Sequence, residues 1–355
     1  MAAASKTVLV TGATGYIASH TIQQLLEKTD FAVRGTVRNL QDKAKFAHLT
    51  ALPHADTRLE LVQADLLDAA SWAPAVRGCV SVFHIASPYI MAIQDAQKDL
   101  VEPAEQGTEN VLRAAIAESS VTDIVLTSSI AAIAPEPIPG HVITEADWNT
   151  TSSLDWNPYP YSKVCAEKKA WALMDGVQDT RLVVLNPGLV IGPTLSKGIN
   201  TSVAVSIGMF NGQVPAMVNL SWCVVDVRDV ALAHILALQT ATASGRYLLF
   251  GQICSMQEFA AVFRAKFPTA KHIPTWTVPN WVAWLASFKE SRATGQYMRS
   301  NVGFPFEADN SKSTRELGMT YRPVQASLVD MIDDAVKWGL IDPTNVYTRE
   351  LKRAS

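Results

Sequence analysis

The chain is poor in residues that would build a cross-linked or metal-centred protein. Only 4 of its 355 residues are cysteine, and Cys79, Cys165, Cys223 and Cys254 form no C-x-x-C pair and have no histidine at ligand spacing. A disulfide framework and a zinc site both lack support, and no metal is expected. Charge of one sign is equally scarce: 30 Lys and Arg against 33 Asp and Glu leave a formal net charge of -3. That balance offers no general attraction for nucleic acid or anionic lipid. No apolar run reaches the roughly 18 residues of a membrane span, so no membrane partner is expected. The opening MAAASKTVLV lacks the charged and apolar regions of a secretory leader. A cytoplasmic location is therefore expected, with the N-x-S/T sites at Asn149, Asn200 and Asn219 left unmodified. H-E-x-x-H, paired-carboxylate and nucleophile-elbow patterns are missing too, which leaves hydrolysis and metal catalysis without a carrier.

What is present is an ordinary globular composition, 48% hydrophobic and 18% charged, with a clear order of elements. TVLVTG, FAVRGTV, RLELVQADL, SVFHIAS, DIVLTSS and RLVVLNPGLVIG are short β-branched runs separated by amphipathic helical stretches. Apolar strands without strict alternation, spaced by helices, predict a parallel sheet covered on both faces. The expectation is an α/β doubly wound (Rossmann) sheet with a smaller C-terminal α/β substrate lobe. The nucleotide domain spans 1–192, with 222–251 returning to it; the lobe comprises 193–221 and 252–345. The Trp-rich WTVPNWVAWLASF is read as a buried part of that lobe or an active-site lid, and His84 and His234 as core histidines.

The chemistry begins at VLVTGATGYIAS. Gly12 permits a tight turn after a strand, and Gly15 lets a pyrophosphate approach the unpaired N–H groups at the start of the following helix. Ala18 stands where a third glycine is common, at a position that serves helix-on-strand packing. After the second strand, Arg38 stands where an NAD enzyme carries an acid, with Lys43 and Lys45 beyond it. A cation there suits the 2′-phosphate, which favours NADPH. Asp65, after the third strand, is placed either to accept from the adenine amino group or to cap the next helix. In NPYPYSK, Tyr159 and Lys163 are four apart and share a helix face. Ser128 and Ser129 end a strand where such sheets present ligands. A phenol can protonate a developing alkoxide, an ammonium nearby lowers its pKa, and a serine hydroxyl can hold the carbonyl oxygen.

TGATGYIAS, VRGTVR, ADLLD, GCVSVFHIASP, LTSSIAA, YPYSK and NPGLVIGP together resemble the extended short-chain dehydrogenase/reductase family. The likeness is to its dihydroflavonol reductase, cinnamoyl-CoA reductase and microbial aldehyde/ketone reductase branch. It covers about residues 6 to 250 well and the rest loosely. The resemblance implies NADPH/NADP+ as cofactor and Ser129, Tyr159 and Lys163 as the catalytic group, with Lys163 also holding the nicotinamide ribose. It implies cofactor contacts at Gly12, Thr14, Gly15, Tyr16 and Ile17, at Arg38 and Lys45 for the 2′-phosphate, and at Asp65 and Leu66. It further implies Ile85, Ala86 and Ser87 along the fourth strand, Pro187, Gly188, Leu189 and Val190 beside the nicotinamide, and Ser202 facing a phosphate.

Two departures bear on the substrate. Ala134 stands where flavonoid reductases place Asn, and NPYPYSK keeps only part of the N-W-Y-C-Y-G-K run of cinnamoyl-CoA reductases. A hydrophobic aldehyde or ketone is expected, in a pocket drawn partly from Pro88, Tyr89, Met209, Phe210 and Trp222. The alternatives are a nucleotide-sugar epimerase or dehydratase with bound NAD, against which Arg38 argues, and a non-catalytic NADP-sensing protein, against which the Tyr159/Lys163 pair argues. The partner is a small-molecule carbonyl substrate, and the protein is expected as a monomer or homodimer.

Overall fold

The computed structural model describes residues 6–87, 95–198, 201–210, 212–268, 270 and 273–341, with the backbone alone at 201, 202, 205 and 210. Seven strands form a wholly parallel sheet: β1 (Thr7–Val10), β2 (Ala32–Val37), β3 (Leu59–Gln63), β4 (Cys79–His84), β5 (Asp123–Thr127), β6 (Arg181–Pro187) and β9 (Gly245–Leu249). Their spatial order is β3-β2-β1-β4-β5-β6-β9. Strand order reverses between β1 and β4, and a ligand crevice opens at such a switch point, outside the carboxyl ends of the strands.

Side-chain alternation along each strand splits the core into two layers. Val8, Val10, Phe83, Val125, Val183 and Leu185 face one way, onto the helices Tyr16–Lys28 and Val227–Gln239. Leu9, Val82, Ile124, Leu126, Leu182 and Val184 face the other, beneath the helices Glu102–Ala117 and Pro158–Leu173. Both faces are therefore dry, which is why these strands read as continuous apolar runs.

A second sheet joins β7 (Leu189–Ile191), β8 (Ser221–Asp226) and β10 (Gln252–Ser255) in the order β10-β8-β7. The segment expected to return at 222 therefore divides. Its strand β8 stays in the small sheet, while its helix and β9 join the large one. β7, expected within 1–192, belongs to the small sheet as well. The change of sheet occurs at Gly188, whose N–H donates to Leu249 O at 3.0 Å and whose missing Cβ admits the backbone carbonyl of Cys223. Beneath this sheet lies a separate core around Met256, Phe259, Phe263, Leu328 and Met331.

Of the two readings of the Trp-rich segment, a buried part of the lobe and an active-site lid, the structure departs from the first. Ile273 and Ala283 are buried, but Trp276, Trp281, Trp284, Leu285 and Phe288 are at least half exposed. Trp281, Trp284, Leu285 and Phe288 follow helical spacing from the helix Asn280–Ala286 into the turn after it, so they share one face, and that face is turned outward.

Gly35, in the middle of β2, sits under the first helix. A Cβ there would lie 2.9 Å from Ala13 Cβ, 3.0 Å from Leu61 Cδ2 and 3.4 Å from Ile22 Cδ1. Gly35→Ala is expected to destabilise the protein by about 1–3 kcal/mol through overpacking, read as a lower denaturation midpoint; an unchanged midpoint would show that β2 and the first helix separate freely.

Candidate active site

At the end of β1 the chain turns through Gly12, whose φ is +66°. A Cβ on Gly12 would fall 2.9 Å from Ala86 Cβ, so the absence of a side chain here lets the ends of β1 and β4 meet. Thr11 completes the junction. Its Oγ1 accepts from the Ile85 and Ala86 amides at 3.0 and 2.9 Å and meets Nδ1 of His84 at 3.1 Å. Since those two contacts use its lone pairs, the Thr11 proton is left to donate to His84. Burial, helped by the Lys163 charge, lowers His84 to about 3, which keeps the ring neutral and able to accept. His234 is likewise buried and lowered to about 4, with partners in Val230 O at 2.8 Å and Thr127 Oγ1 at 2.7 Å. Both are core histidines.

Gly15 starts the helix Tyr16–Lys28 in extended conformation with no side-chain cap. Thr14 and Gly15 are exposed, so the positive end of this helix faces outward without an acceptor of its own, as an anion site requires. A dinucleotide pyrophosphate suits this helix start: its end is exposed, and no side chain caps it. Ala18 is fully buried, as a packing residue should be, and Ile17 packs beside it. Tyr16 has a latching role that its sequence context did not reveal: its hydroxyl donates to Gly192 O at 2.7 Å. His20, one turn on, meets Pro193 O at 2.9 Å. The first helix is thereby fixed to the segment leaving the small sheet.

Arg38 is exposed, with no ion pair or hydrogen bond among the described residues. Lys45 instead holds Asp42 at 2.8 Å, so the two cations expected at the 2′-phosphate are not equally available. Asp65 is not the cap of the following helix. Its Oδ1 accepts from Leu67 N at 2.9 Å, and the turn Ala69–Ser71 is capped by Asp68. Leu66 turns inward against Gly107, and its carbonyl accepts from Asn110 at 2.8 Å.

The helix Pro158–Leu173 begins after Asn157, a buried residue at φ +52°. Tyr159 stands in its first turn and is 39% exposed. Although accessible, it is closely surrounded by protein, and desolvation raises its pKa above the ordinary phenol range. The lowering expected from Lys163 is not what sets this group: burial does, and the phenol is held neutral, as a proton donor must be. The Lys163 ammonium lies 5.7 Å from the centre of the Tyr159 ring and donates to Ser87 Oγ at 2.9 Å. Burial lowers Lys163 to about 8. Beyond β5 the two serines separate in role. Ser128 is buried and donates to Glu167 Oε2 at 2.5 Å. Ser129 is half-buried; its Oγ accepts from Ala131 N at 3.1 Å, and its own proton has no acceptor among the described residues. Pro187, Gly188, Leu189 and Val190 form the passage from β6 to β7 at the same end of the sheet.

The expected substrate pocket is altered. Met209 is 1% exposed within the second core, so it supports the lobe rather than lining an open pocket. Trp222 is half-buried, with its indole N–H donating to Tyr297 Oη at 2.7 Å. Pro88 and Tyr89 lie outside the described residues, as do the side chains of Ser202 and Phe210. Ala134 is buried in the apolar cluster that includes Ile133, Ile143 and Leu248.

Four residues that the sequence did not single out complete the frame. Thr11 fixes the β4 end, and Gln296 from the C-terminal part accepts from the Asn157 amide at 3.3 Å and donates to Asp155 O at 2.9 Å. Glu167 and Asn186 link the helix Pro158–Leu173 to β5 and β6. Glu167 alone left a trace in the sequence, four residues beyond Lys163.

Residues 8–249 match the model of the NAD dependent epimerase/dehydratase family. The chain is 38% identical over 349 residues to cinnamoyl-CoA reductase 1 of Arabidopsis thaliana, covering 96% of this chain and 92% of that one. Among solved structures it is similar to the NADPH complex of Gre2 from Candida albicans, at 30% identity and a TM-score of 0.76, covering 94% of this chain and 99% of that one. The NADPH complex of the yeast methylglyoxal/isovaleraldehyde reductase Gre2 superposes with a TM-score of 0.77 at 25% identity, with coverage of 94% and 99%. With the parallel sheet, the glycine turn at its switch point and these full-length relatives in agreement, the chain belongs to the NAD-dependent epimerase/dehydratase family, the extended short-chain dehydrogenases/reductases.

Proposed function

We propose that this protein is an NADPH-dependent reductase that converts the carbonyl of a hydrophobic aldehyde or ketone to the alcohol, using Ser129, Tyr159 and Lys163. The observation that carries the reading is the Lys163 ammonium, set between the Tyr159 ring and Ser87 at the end of β4. It connects the proton donor to the strand that borders the nucleotide crevice. The name methylglyoxal/isovaleraldehyde reductase describes aldehydes and supports the substrate class, while cinnamoyl-CoA reductase, named for a thioester, supports hydride transfer to a carbonyl carbon more generally. NADPH in the Gre2 complexes supports the cofactor.

The cradle at Gly12 and Gly15 would receive the pyrophosphate, Arg38 the 2′-phosphate, and Lys163 with Ser87 the ribose nearest the reaction. Bound NADPH supplies the hydride that adds to the carbonyl carbon. Ser129 donates its unengaged proton as a hydrogen bond to the carbonyl oxygen, holding that atom as charge builds on it. Tyr159, neutral through desolvation, transfers its proton to the same oxygen to give the alcohol. Lys163 stabilises the phenolate left behind, which regains its proton from solvent.

Tyr159→Phe is expected to cut turnover by a factor on the order of 10²–10⁴ with NADPH still bound, followed as absorbance loss against aldehydes, diketones and keto esters. Near-wild-type turnover in that variant would end the assignment. Arg38→Ala should weaken NADPH about 10- to 100-fold, the worth of a charge-assisted bond to phosphate, while barely changing NADH; Lys45→Ala should do less because Asp42 already engages that cation. Equal losses for both cofactors would remove the 2′-phosphate role. Because burial lowers Lys163, its cation is present below pH 8 and lost above it, whereas Tyr159 stays protonated across that window. Carbonyl reduction by wild type should decline as pH rises through about 8, and Lys163→Met should lose that limb along with most of its rate; a limb that survives the substitution belongs to another group.

A further inference from the structure

Tyr159, Lys163 and Glu167 follow one another at four-residue spacing on the helix Pro158–Leu173, so they form one stripe across three turns. The first two face the reaction. Glu167 is 1% exposed and gathers donors from separate strands. Its Oε2 accepts from Ser128 Oγ beyond β5 at 2.5 Å and from Asn186 Nδ2 in β6 at 2.8 Å. Its Oε1 accepts from Arg246 Nε in β9 at 2.6 Å and from Trp171 Nε1 of its own helix at 3.3 Å. Four donors use the full acceptor capacity of the carboxylate. Arg246 is itself 7% exposed. It donates to the Glu145 and Asp147 carbonyls at 3.0 and 2.5 Å and lies 4.0 Å over the Trp148 ring.

The consequence for the reaction runs through Asn186. Its single Nδ2 donates both to Glu167 and to the carbonyl oxygen of Ser129, the latter at 3.1 Å. The backbone of the carbonyl-holding serine is therefore located by the same amide that Glu167 locates. Burying this ion pair costs several kcal/mol in desolvation that an apolar pair would not incur, so stability alone is a poor reason for it. What a carboxylate provides and a leucine does not is direction: it fixes the rotation and axial position of the helix against three strands.

We propose that Glu167 is a positioning residue for the reduction, fixing Ser129 relative to Tyr159 and Lys163 through Asn186. This inference rests on the catalytic reading of those three residues. A displacement of about 1 Å in such a group can cost on the order of 10²-fold in rate, so the anchor acts on turnover and not on cofactor binding.

The test uses Glu167→Gln and Asn186→Ala, alone and each combined with Ser129→Ala. Gln keeps the volume but presents an NH₂ to one of the two donor pairs, whereas Asn186→Ala spares the Glu167–Arg246 pair and keeps the question open if the first variant does not fold. At a temperature well below unfolding, each single variant should lose about 10- to 100-fold in kcat, with the NADPH Kd, read by nucleotide fluorescence, within about twofold of wild type. In the Ser129→Ala background the added loss should largely vanish, because two changes acting through one group are not additive. Full additivity, or wild-type kcat in either folded variant, would overturn the positioning role. Crystal structures of the variants supply a readout independent of turnover: Ser129 should move away from Tyr159, and an unmoved Ser129 refutes the inference even if wild type reduces no carbonyl in the panel, a result that would count against the reductase reading itself.

Discussion

The nucleotide end of this protein depends on one close approach of backbones, that of Gly12 to Ala86. Three strands converge there, and any Cβ on Gly12 would push β1 and β4 apart at the point where the sheet changes direction. Thr11 holds the same junction by hydrogen bonds, taking two amides from the β4 end while passing its own proton to a neutral, buried His84. Gly35 repeats the arrangement on the other side, where β2 presses on Ala13 and Ile22. The cleft exists because these contacts leave the start of the first helix facing outward and uncapped.

Around that cleft, burial sets the charges. Desolvation keeps Tyr159 protonated and brings Lys163 down to about 8, while it strips any charge from His84 and His234. The helix Pro158–Leu173 is held from three directions: by Lys163 to Ser87, by Asn157 to Gln296, and by Glu167 to Ser128 after β5, Asn186 in β6 and Arg246 in β9. Each tie uses a residue distant in sequence, and together they make the first turn of the helix a fixed platform. Fixed geometry of this kind is what acid catalysis by a phenol requires.

Much of this was readable from local patterns. The parallel sheet, the glycine turn, Arg38 at the end of β2 and the Tyr159/Lys163 spacing all lie within short windows whose periodicity or residue type is visible locally. Longer-range assignments fared differently. Asp65 looked equally suited to capping the next turn, yet Asp68 does so because its carboxylate is nearer the Ala70 amide. Met209 resembled a pocket residue and is core, since the face of its helix is decided by β7 and the helix Met256–Lys266, more than forty positions further along for the latter. The Trp-rich segment, read as a buried part of the lobe or an active-site lid, is largely exposed, because the face that carries Trp281, Trp284, Leu285 and Phe288 is turned outward.

By itself, the sequence determined the fold class, the glycine turn and the Tyr159/Lys163 spacing on one helix face, because continuous apolar strand runs, helix spacing and glycine conformational freedom act over a few residues. Only the tertiary structure decided which serine is buried against Glu167, which cation at the end of β2 has no ion pair among the described residues, and how the helix Pro158–Leu173 is fixed in place. Those outcomes follow from contacts between residues far apart in the chain, Ser128 with Glu167, Asn186 with Ser129 and Gly188 with Cys223. Whether such side chains meet depends on how the two sheets pack, and no local window of sequence contains that information.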